Sequence, residues 1–420
     1  MRVHTSIAAL AAAAAVLLGG APQAQAQNGH IRQGVGAVNT SMGGAGVATT
    51  QSLLGTSYLN PAALIGYDET RLEFSLDFLN PNHEIFVGSS STKSTHDQGY
   101  LPSAAVATPV SDRVTLGLGA IQLGGFRTRW TGPIEGESFA AEAEYALTRF
   151  TPAVAFAVSD AIWLGGSLLL DWTSFRQDPL LVGVPTAQSY PNAVGGDTEI
   201  GVGFQAGLLW NVNDFVALGA SYASKTGVGE YVLPGTVAAP GSPTFGDLQP
   251  VAFKLETPAM LVAGVSMTPL PSLLVAADVR YLFYEDAAGF SLEGDSPFAP
   301  DGALAGFGWQ NVFAFSIGAE YSVNHKLALR AGFNHGDAAV KEDLVSVNLT
   351  TPAILKDQVS FGFGWQPTRR FRVDAGYLIG FEVSVTGPVL TPAGALAETV
   401  TLKSRTHGPQ LAFTLATRGF

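Results

Sequence analysis

Apolar and polar residues alternate along much of the chain, and the stretch FRVDAGYLIGFEVSV (residues 371–385) shows this most clearly. Every odd position from Phe371 to Val385 is apolar, whereas the even positions include Arg372 and Asp374. A period of two is typical of a β-strand with one apolar face and one polar face. At ~3.3 Å per residue such a strand would run roughly 50 Å, although most strands have about 5–6 residues. The pattern therefore predicts an unusually long strand whose two faces meet different surroundings.

Other segments alternate in the same way, and their charged residues lie on the face opposite the aromatic residues: 71–78, 199–210, 275–283, 310–321 and 326–334. The connections between strands also alternate, in length. Short ones are predicted near 111–113, 158–161, 211–214, 268–272, 322–326 and 366–370. Long ones, rich in Gly, Pro, Ser and Asp, are predicted near 80–99, 124–146, 177–198, 227–250, 286–309, 335–356 and 386–400. Short turns at one end and long loops at the other are typical of a transmembrane β-barrel, and the segments number about fourteen.

A bilayer requires every backbone amide to be hydrogen-bonded within the protein, so a sheet can span it only as a closed barrel. We therefore predict an all-β fold, a transmembrane antiparallel β-barrel of about fourteen strands. The odd positions of 371–385 would face acyl chains. Charges on the interior face are expected to pair across strands, and Glu320 and Arg330, equally far from His325 in a turn, would lie opposite each other. A soluble β-sandwich is the alternative, but it would need shorter strands.

Composition supports a membrane location. Mean hydropathy is +0.24, and only 13% of residues are charged, against about 25% in typical globular chains. Because no run of about 20 apolar residues follows the N-terminus, membrane-spanning helices are not predicted. The formal net charge of −12 and the lack of a basic stripe exclude a nucleic-acid partner. Cysteine is absent from the sequence, so neither a disulfide framework nor a Cys nucleophile is possible.

The first 26 residues have the features of a secretory signal peptide. Arg2 provides a positive start, an apolar stretch runs from Ile7 to Leu18, and Ala24-Gln25-Ala26 forms a small-residue cleavage site. We expect cleavage after Ala26, which would remove this segment from the mature protein.

Residues 28–66 do not alternate, and Gly, Ala, Ser and Thr dominate them. In a free periplasmic tail Leu53, Leu54 and Tyr58 would be exposed to water, so we expect the segment to pack inside the barrel as a plug. The predicted organisation is a signal peptide over 1–26, a plug over 27–68 and a barrel over 69–420.

The plug ends in Asn60-Pro61-Ala62-Ala63-Leu64, and about fourteen predicted strands follow. This arrangement resembles the FadL-type outer-membrane transporters, the OmpP1/FadL/TodX family of channels for long-chain fatty acids and aromatic hydrocarbons in Gram-negative bacteria. Residues 256–286 and 359–378 also resemble strand pairs of that family, and the likeness covers essentially the whole mature chain.

The resemblance implies a hatch with Asn60, Pro61 and Ala62 at its base. A hydrophobic substrate would bind between outer loops, pass to a deeper pocket and leave sideways through a gap made by a kinked third strand. That strand corresponds to residues 114–125, and the glycines that could permit the kink are Gly117, Gly119, Gly124 and Gly125. Lateral exit suits apolar cargo because an alkyl chain gains ~0.8 kcal/mol per CH₂ on leaving water.

A carboxylate substrate would need a cation for its head group beside apolar side chains for its tail. The candidates are Arg127, Arg129, Arg149, Arg176 and Lys254. Arg149 and Lys254 are preferred because their neighbours are aromatic and apolar. The resemblance further implies a monomer in the Gram-negative outer membrane that contacts lipid and lipopolysaccharide and is inserted by the barrel assembly machinery.

Motifs for catalysis are missing from the sequence, which contains no HExxH, GxSxG or Walker A pattern. The histidines show no metal-ligand spacing. We therefore expect no enzyme activity, no metal and no cofactor. The alternative function is a porin-like aqueous channel or a mainly structural barrel, and steady ohmic conductance would distinguish the porin-like channel from a plugged transporter.

Overall fold

A computed structural model describes residues 28–417 except 96–97, 135–136, 139–140, 179–180, 183–194, 238–242, 245, 293, 300–303 and 392–393. The expected signal peptide (residues 1–26) and its cleavage site lie outside the described residues.

Fourteen antiparallel strands form a closed barrel. Each pairs with its neighbours in sequence, and the first also pairs with the last, so the barrel wall has no edge strand. The strands are β1 Thr70–Val87, β2 Gly99–Ser111, β3 Val114–Trp130, β4 Ala141–Ala157, β5 Ile162–Asp178, β6 Asp197–Asn213, β7 Val216–Ala223, β8 Ala259–Leu270, β9 Leu273–Phe283, β10 Val312–Asn324, β11 Leu327–Gly336, β12 Asp357–Thr368, β13 Phe371–Thr391 and β14 Gly394–Thr417. The predicted all-β barrel is confirmed.

The remaining elements are short. Among the residues described before β1, the helices are α1 Gly36–Ser41, α2 Leu53–Leu59 and the 3-10 helix Pro61–Gly66. The loops contain the 3-10 helices Tyr284–Asp286 and Glu342–Asn348 and the strands Ser90–Lys93, Pro133–Ile134, Glu137–Ser138, Leu181–Val182, Tyr231–Val237 and Leu248–Phe253. Within the described ranges, none of the helices has the length and apolar character needed to cross a membrane.

The six predicted short connections are confirmed, and all join strands at the same end of the barrel, which is therefore the periplasmic end. The long loop predicted at 386–400 is wrong. β13 continues to Thr391 and β14 begins at Gly394, with Val385 paired to Leu402 and Gly387 paired to Val400. These two segments contain Gly, Pro and Thr, as loops do, but hydrogen bonding between their backbones stabilises them as strands.

Side-chain exposure follows the predicted alternation. On β6, Ile200 is 66% exposed and Phe204 is 54% exposed, whereas Gln205 is buried. On β13, Asp374 and Leu378 point inward as predicted. Val385 is buried, so the prediction that it faces acyl chains is wrong. A β-bulge between Gly380 and Val383 inserts one extra residue into the strand, so that beyond it the odd-numbered side chains point to the opposite face.

Glu320 and Arg330 are direct cross-strand partners, as predicted. Arg330 Nε donates to Glu320 Oε2 at 2.6 Å, and Arg330 Nη1 donates to Asp374 Oδ1 at 2.9 Å. All three side chains are buried on the interior face, so this network links β10, β11 and β13 inside the barrel.

The barrel interior is filled by the plug, which we define as residues 28–66. Nearly all of its residues are buried. Small residues on both surfaces explain the fit: a Cβ atom at Gly332 of β11 would collide with the backbone at Gly43, and one at Gly165 of β5 with the backbone at Ala62. The glycines of the wall therefore permit the backbone of the plug to touch the backbone of the barrel.

Candidate functional site

Acidic side chains of the barrel wall hold the plug by its backbone amides. Glu73 on β1 accepts hydrogen bonds from Leu53 N at 2.6 Å and from Ser52 Oγ at 3.0 Å, at the start of α2. Asp278 on β9 accepts from Gly46 N at 2.7 Å and from Val47 N at 2.9 Å. These amides have no partner within a sheet, so the buried carboxylates satisfy them.

Two further charges of the wall bind the same segment. Asp77 accepts from Gly36 N at 3.1 Å and from the guanidinium group of Arg32, and Arg280 donates to the carbonyl oxygens of Gln33 and Gly44. The expectation that interior charges pair across strands thus holds for Glu320 with Arg330 and for Arg149 with Asp171. By contrast, four charged residues of the wall bind the plug instead: Glu73, Asp77, Asp278 and Arg280. Buried charges need partners, and the irregular backbone of the plug offers them.

The motif Asn60-Pro61-Ala62 ties the lower part of the plug to the wall. Asn60 Nδ2 donates to Val47 O at 2.8 Å and to Leu208 O of β6 at 3.0 Å, while its Oδ1 accepts from Ala62 N at 3.1 Å. Pro61 begins the 3-10 helix, a position where its missing N–H costs nothing. The motif therefore joins two parts of the plug and one wall strand through a single side chain.

The glycines predicted to kink the third strand fall into two pairs. Near the periplasmic end, Gly117 and Gly119 pair regularly with β4, and a Cβ atom at Gly117 would lie 2.8 Å from Leu64 Cδ1 of the plug. Higher up, the pairing shifts between Gln122 and Gly124, which leaves one extra residue in the strand, and Gly125 has a φ of 140°. The irregularity therefore lies at the upper pair of glycines.

The first residues of the plug, which we call the plug tip (residues 28–33), bind to β3 at this irregularity. Gly125 N donates to His30 O at 3.0 Å, and Arg32 N donates to Leu123 O at 3.2 Å. A Cβ atom at Gly124 would collide with His30 O, so only glycine allows this contact. The plug tip thus covers the bulge of β3 from the inside.

Above the plug, nine aromatic side chains with no more than 5% exposure form a continuous cluster inside the barrel: Phe126, Tyr145, Phe175, Tyr231, Phe253, Tyr284, Phe290, Phe307 and Trp309. Three come from β3, β4 and β5, and the other six come from the long loops at the outer end. Neighbouring ring centroids lie 4.6–6.4 Å apart, the range of direct aromatic contact.

His30 of the plug tip lies within this cluster. Its ring is fully buried, and neither ring nitrogen has a hydrogen-bond partner among the described residues. Burial, with a smaller contribution from the positive charge of Arg149, lowers the pKa of His30 from 6.5 to about 3. The imidazole is therefore neutral when the plug tip is seated.

We expect acid to loosen the plug tip. Because the seated pKa of His30 is depressed, seating is insensitive to pH above 6.5 and weakens as the pH falls from 6.5 towards 3. Among the described residues, the groups that face the ring or act on its charge are Tyr145, Tyr284 and Arg149, and none of the three supplies a negative charge to compensate. Between pH 7.5 and 5 the ratio of released to seated tip should rise about thirtyfold.

Hydrogen exchange of the Gly125 amide, read at both pH values after correction for intrinsic exchange rates, measures this ratio. His30→Phe is the control because it keeps a ring in place and removes the titration. An equal rise in wild type and in His30→Phe would contradict the assignment to His30.

All five cations considered for a carboxylate substrate contact a carboxylate. Arg149 binds Asp171 through two atoms, Nε at 2.6 Å and Nη2 at 2.7 Å, and Asp171 also accepts from Thr226 and Thr257. The other contacts are Lys254 with Glu256 at 3.2 Å, Arg127 with Glu144 at 3.6 Å, and both Arg129 (3.5 Å) and Arg176 (3.8 Å) with Glu142. Glu142 is shared by Arg129 and Arg176, and Glu256 is shared by Lys225 and Lys254. A substrate carboxylate would have to displace an acid at Arg149, which pairs with Asp171.

A cavity lies at the periplasmic end. It has a volume of about 200 Å³ and lies between plug residues Ala48–Gln51 and the turn between β6 and β7. Polar residues such as Asn211 and Ser266 contribute to its lining, so its character differs from that of the aromatic cluster. Among the described residues, no group of three or more His, Asp or Glu side chains is arranged to hold a metal ion.

Sequence reasoning missed the plug tip and most of the aromatic cluster. One signal was present: the regions predicted as long loops contain Phe290, Phe307 and Trp309, and aromatic residues are unusual in solvated loops. His30 gave no such signal, because a lone histidine in a non-alternating segment predicts nothing specific.

Comparison with known proteins places these features in context. A family model described as outer membrane protein transport protein (OMPP1/FadL/TodX) matches residues 17–417. Comparison with curated protein sequences gave no match. Among solved structures, the P. putida toluene transporter TodX is similar with a TM-score of 0.71 and 19% identity, over 92% of this chain and 100% of TodX.

Two further solved structures are similar. A Pseudomonas aeruginosa FadL homologue has a TM-score of 0.71 and 16% identity, covering 92% of this chain and 99% of its own. The Ralstonia pickettii toluene transporter TbuX has a TM-score of 0.66 and 18% identity, with the same coverage. At these identities the similarity establishes a shared fold.

Proposed function

The chain belongs to the outer membrane protein transport family OMPP1/FadL/TodX, and from that premise we propose that its substrates are small uncharged aromatic hydrocarbons. The observation that carries the proposal is the buried cluster of nine aromatic rings, beside which the buried cation Arg149 is paired with Asp171. Such a site favours flat apolar molecules. The similar structures TodX and TbuX are toluene transporters, which supports the same substrate class.

The proposed route follows the contacts of the plug tip. A substrate enters between the outer loops and reaches the aromatic cluster, the tip leaves β3, and the substrate passes sideways through the bulge into the membrane. Burial of apolar surface in lipid, worth about 25 cal/mol per Å², drives the last step. The hydrogen bonds of Asn60 keep the base of the plug in place meanwhile, so ions do not follow.

In this scheme the substrate passes through the protein chemically unchanged, and the protein acts as a monomer in the outer membrane. Contact of the outer end with lipopolysaccharide and insertion by the barrel assembly machinery belong to the proposal as well. The charged residues at the site bind one another or the plug, which leaves them no catalytic task in this scheme.

Uptake of radiolabelled toluene and oleate by cells with and without the protein tests the substrate class, and planar-bilayer recording tests the plug. We expect faster toluene uptake, unchanged oleate uptake and negligible steady conductance. Oleate uptake as fast as that of toluene would instead favour a fatty-acid channel. Ohmic conductance of the wild-type protein would favour the porin-like alternative.

Lys254 provides a sharper test of head-group binding. The side chain is 41% exposed and pairs with Glu256, so Lys254→Ala should change toluene uptake by less than about twofold. Lys93→Ala, at an exposed hairpin, is the matched control because it removes the same charge. A loss of oleate uptake specific to Lys254→Ala would reveal a carboxylate site and contradict the proposal.

A further inference from the structure

We propose that four arginines at the periplasmic end of the barrel form a binding site for a phosphate-type oxyanion. The arginine site, as we call it, consists of Arg71 on β1, Arg369 and Arg370 in the turn between β12 and β13, and Arg372 on β13. The ligand is polar and the site is separate from the aromatic cluster, so this inference goes beyond the proposed function and does not depend on it.

The four side chains line one cavity of about 70 Å³, which is distinct from the cavity beside Ala48–Gln51. Gln366 and Thr414 add further polar groups to its lining. Because about 10–15 Å³ of such space accommodates one water molecule, the cavity has room for the four oxygen atoms of a tetrahedral anion. Guanidinium groups suit such an anion, since their planar N–H groups match two of its oxygen atoms at once.

Three of the four positive charges have no acid to balance them. In the parts of the chain that the structure describes, no carboxylate forms an ion pair with Arg71, Arg369 or Arg370. Glu73, the next inward-facing residue of β1, binds the plug instead. Like charges that line one space repel each other, and an anion placed between them replaces this repulsion with attraction.

Arg372 has acidic partners, but it shares them with Arg330. Arg372 Nε and Arg330 Nη1 both donate to Asp374 Oδ1 at 2.9 Å, and Arg330 Nε donates to Glu320 Oε2 at 2.6 Å. Arg372 Nη2 lies 3.6 Å from the same Glu320 oxygen, which is beyond hydrogen-bond distance. Two acids are therefore balanced by two arginines, and the positive charge of the other three remains.

The site also contains unused hydrogen-bond donors. Arg71 Nε and Arg372 Nη2 are buried and have no hydrogen-bond partner among the described residues. Arg71 lies over the ring of Tyr67 instead, with its guanidinium carbon 4.9 Å from the ring centroid. Buried donors without partners cost free energy, and an ionised phosphate group supplies only acceptors. A phosphate group in the cavity would therefore meet both the charge and the hydrogen-bonding needs of the site.

The arginine site spans the seam where the barrel closes. Arg71 of the first strand is the cross-strand partner of Ala416 on the last strand, and Arg372 of β13 is the partner of Thr414 on the same last strand. A bound oxyanion thus connects β1 with β13 across β14. Since a ligand that binds only the folded state stabilises that state, we expect the anion to raise the thermal stability of the barrel.

Isothermal titration calorimetry with inorganic phosphate tests the site, on the purified protein in dodecyl maltoside, a detergent without phosphate. The wild type should bind with a Kd below about 1 mM. Arg71→Gln and Arg370→Gln, made separately, should each weaken binding at least about tenfold. Arg113→Gln is the matched control, because it removes the same charge from an exposed turn at the same end of the barrel. It should bind like wild type.

Heat-modifiable electrophoretic mobility supplies a second readout. At constant ionic strength, phosphate should raise the unfolding midpoint of the wild type and of Arg113→Gln, with a smaller rise in Arg370→Gln. The side chain of Arg370 is in an exposed turn, so this variant keeps the test valid even if Arg71→Gln, which loses the contact with Tyr67, fails to fold.

A second titrant, glycerophosphoglycerol, identifies the source of the phosphate group, because it is the headgroup of a phospholipid. Binding as tight as that of inorganic phosphate supports the site and assigns it to a lipid headgroup of the inner leaflet. Binding of inorganic phosphate alone supports the site and assigns it to soluble phosphate. Failure of the folded wild type to bind either compound would overturn the inference, and so would equal weakening in Arg370→Gln and Arg113→Gln.

Discussion

Replacing Glu73 and Asp278 together by alanine is expected to unseat the plug and to convert a barrel with negligible ion flow into an open conductor. Each carboxylate accepts hydrogen bonds from two successive backbone amides of the plug, Glu73 near α2 and Asp278 near Gly46. Hydrogen bonds to charged groups contribute about 1.5–3 kcal/mol each. Losing two at each site costs roughly 6 kcal/mol in total at the low end, a factor of roughly 10⁴ in the ratio of seated to released plug.

Two readouts distinguish release of the plug from collapse of the barrel. Single-channel recording in planar bilayers should show steady conductance, and protease added to the periplasmic face should cleave within residues 28–66. The matched control is Glu382→Ala with Glu398→Ala, which changes the net charge equally at exposed positions of the β13–β14 hairpin. A folded Glu73/Asp278 double variant that stays non-conducting would show that packing alone holds the plug.

Much of the barrel could be predicted because its pattern is local. A lipid-facing strand places an apolar residue at every second position, so the faces of β6 and the opposition of Glu320 and Arg330 follow from counting along the chain. The length of a turn is also a local property of the sequence, and all six connections predicted to be short lie at one end of the barrel. The loop predicted at 386–400 failed because pairing between two irregular, Thr-rich segments depends on their partner rather than on their own composition.

The bulges could not be predicted. One inserted residue exchanges the inward-facing and outward-facing positions of the rest of the strand, yet it does not change the composition of the strand. Leu116 is 48% exposed and Phe126 is buried, although both are even-numbered apolar residues of β3. Alternation alone reads them as the same face. The extra residue between Gln122 and Gly124 explains the difference, and the bulge of β13 explains the burial of Val385 in the same way.

The candidate site was even less accessible to sequence reasoning, because its contacts join distant parts of the chain. For example, the hydroxyl group of Tyr284 accepts a hydrogen bond from the backbone N–H of His30, and these residues lie 254 positions apart in the sequence. Glu73 and Asp278 bind backbone amides. Almost every residue has such an amide, so the sequence of the plug does not indicate which residues are bound. The motif Asn60-Pro61-Ala62 was recognised only through a family resemblance. In the structure the Asn60 side chain makes three specific hydrogen bonds, which explains why this residue type is needed there.

Deleting Leu123 should reduce toluene uptake to the background of cells that lack the protein, while the barrel remains closed to ions. Gln122 pairs with Thr148 and Gly124 pairs with the adjacent Leu147, so Leu123 is the one residue without a place in the ladder. Its removal joins two correctly paired segments and makes the hydrogen bonding of β3 and β4 continuous. The β2–β3 ladder ends at Ser103 and Ile121, beside the bulge, so a straightened β3 can extend its pairing with β2 as well. Complete pairing on both sides of β3 leaves no gap through which a substrate could enter the membrane.

The deletion also removes Leu123 O, which accepts from Arg32 N, so loss of uptake must be separated from loss of the plug tip. Fluorobenzene binding by the deletion variant reports on the aromatic cluster, and it should persist. Deleting Glu382 from the bulge of β13 is the matched control, since it too removes one bulged residue, and it should transport normally. Wild-type uptake by a folded Leu123 deletion variant would mean that substrates leave by another path. The cavity beside Ala48–Gln51 at the periplasmic end would then be the first place to test, since an exit there would need no gap in the wall.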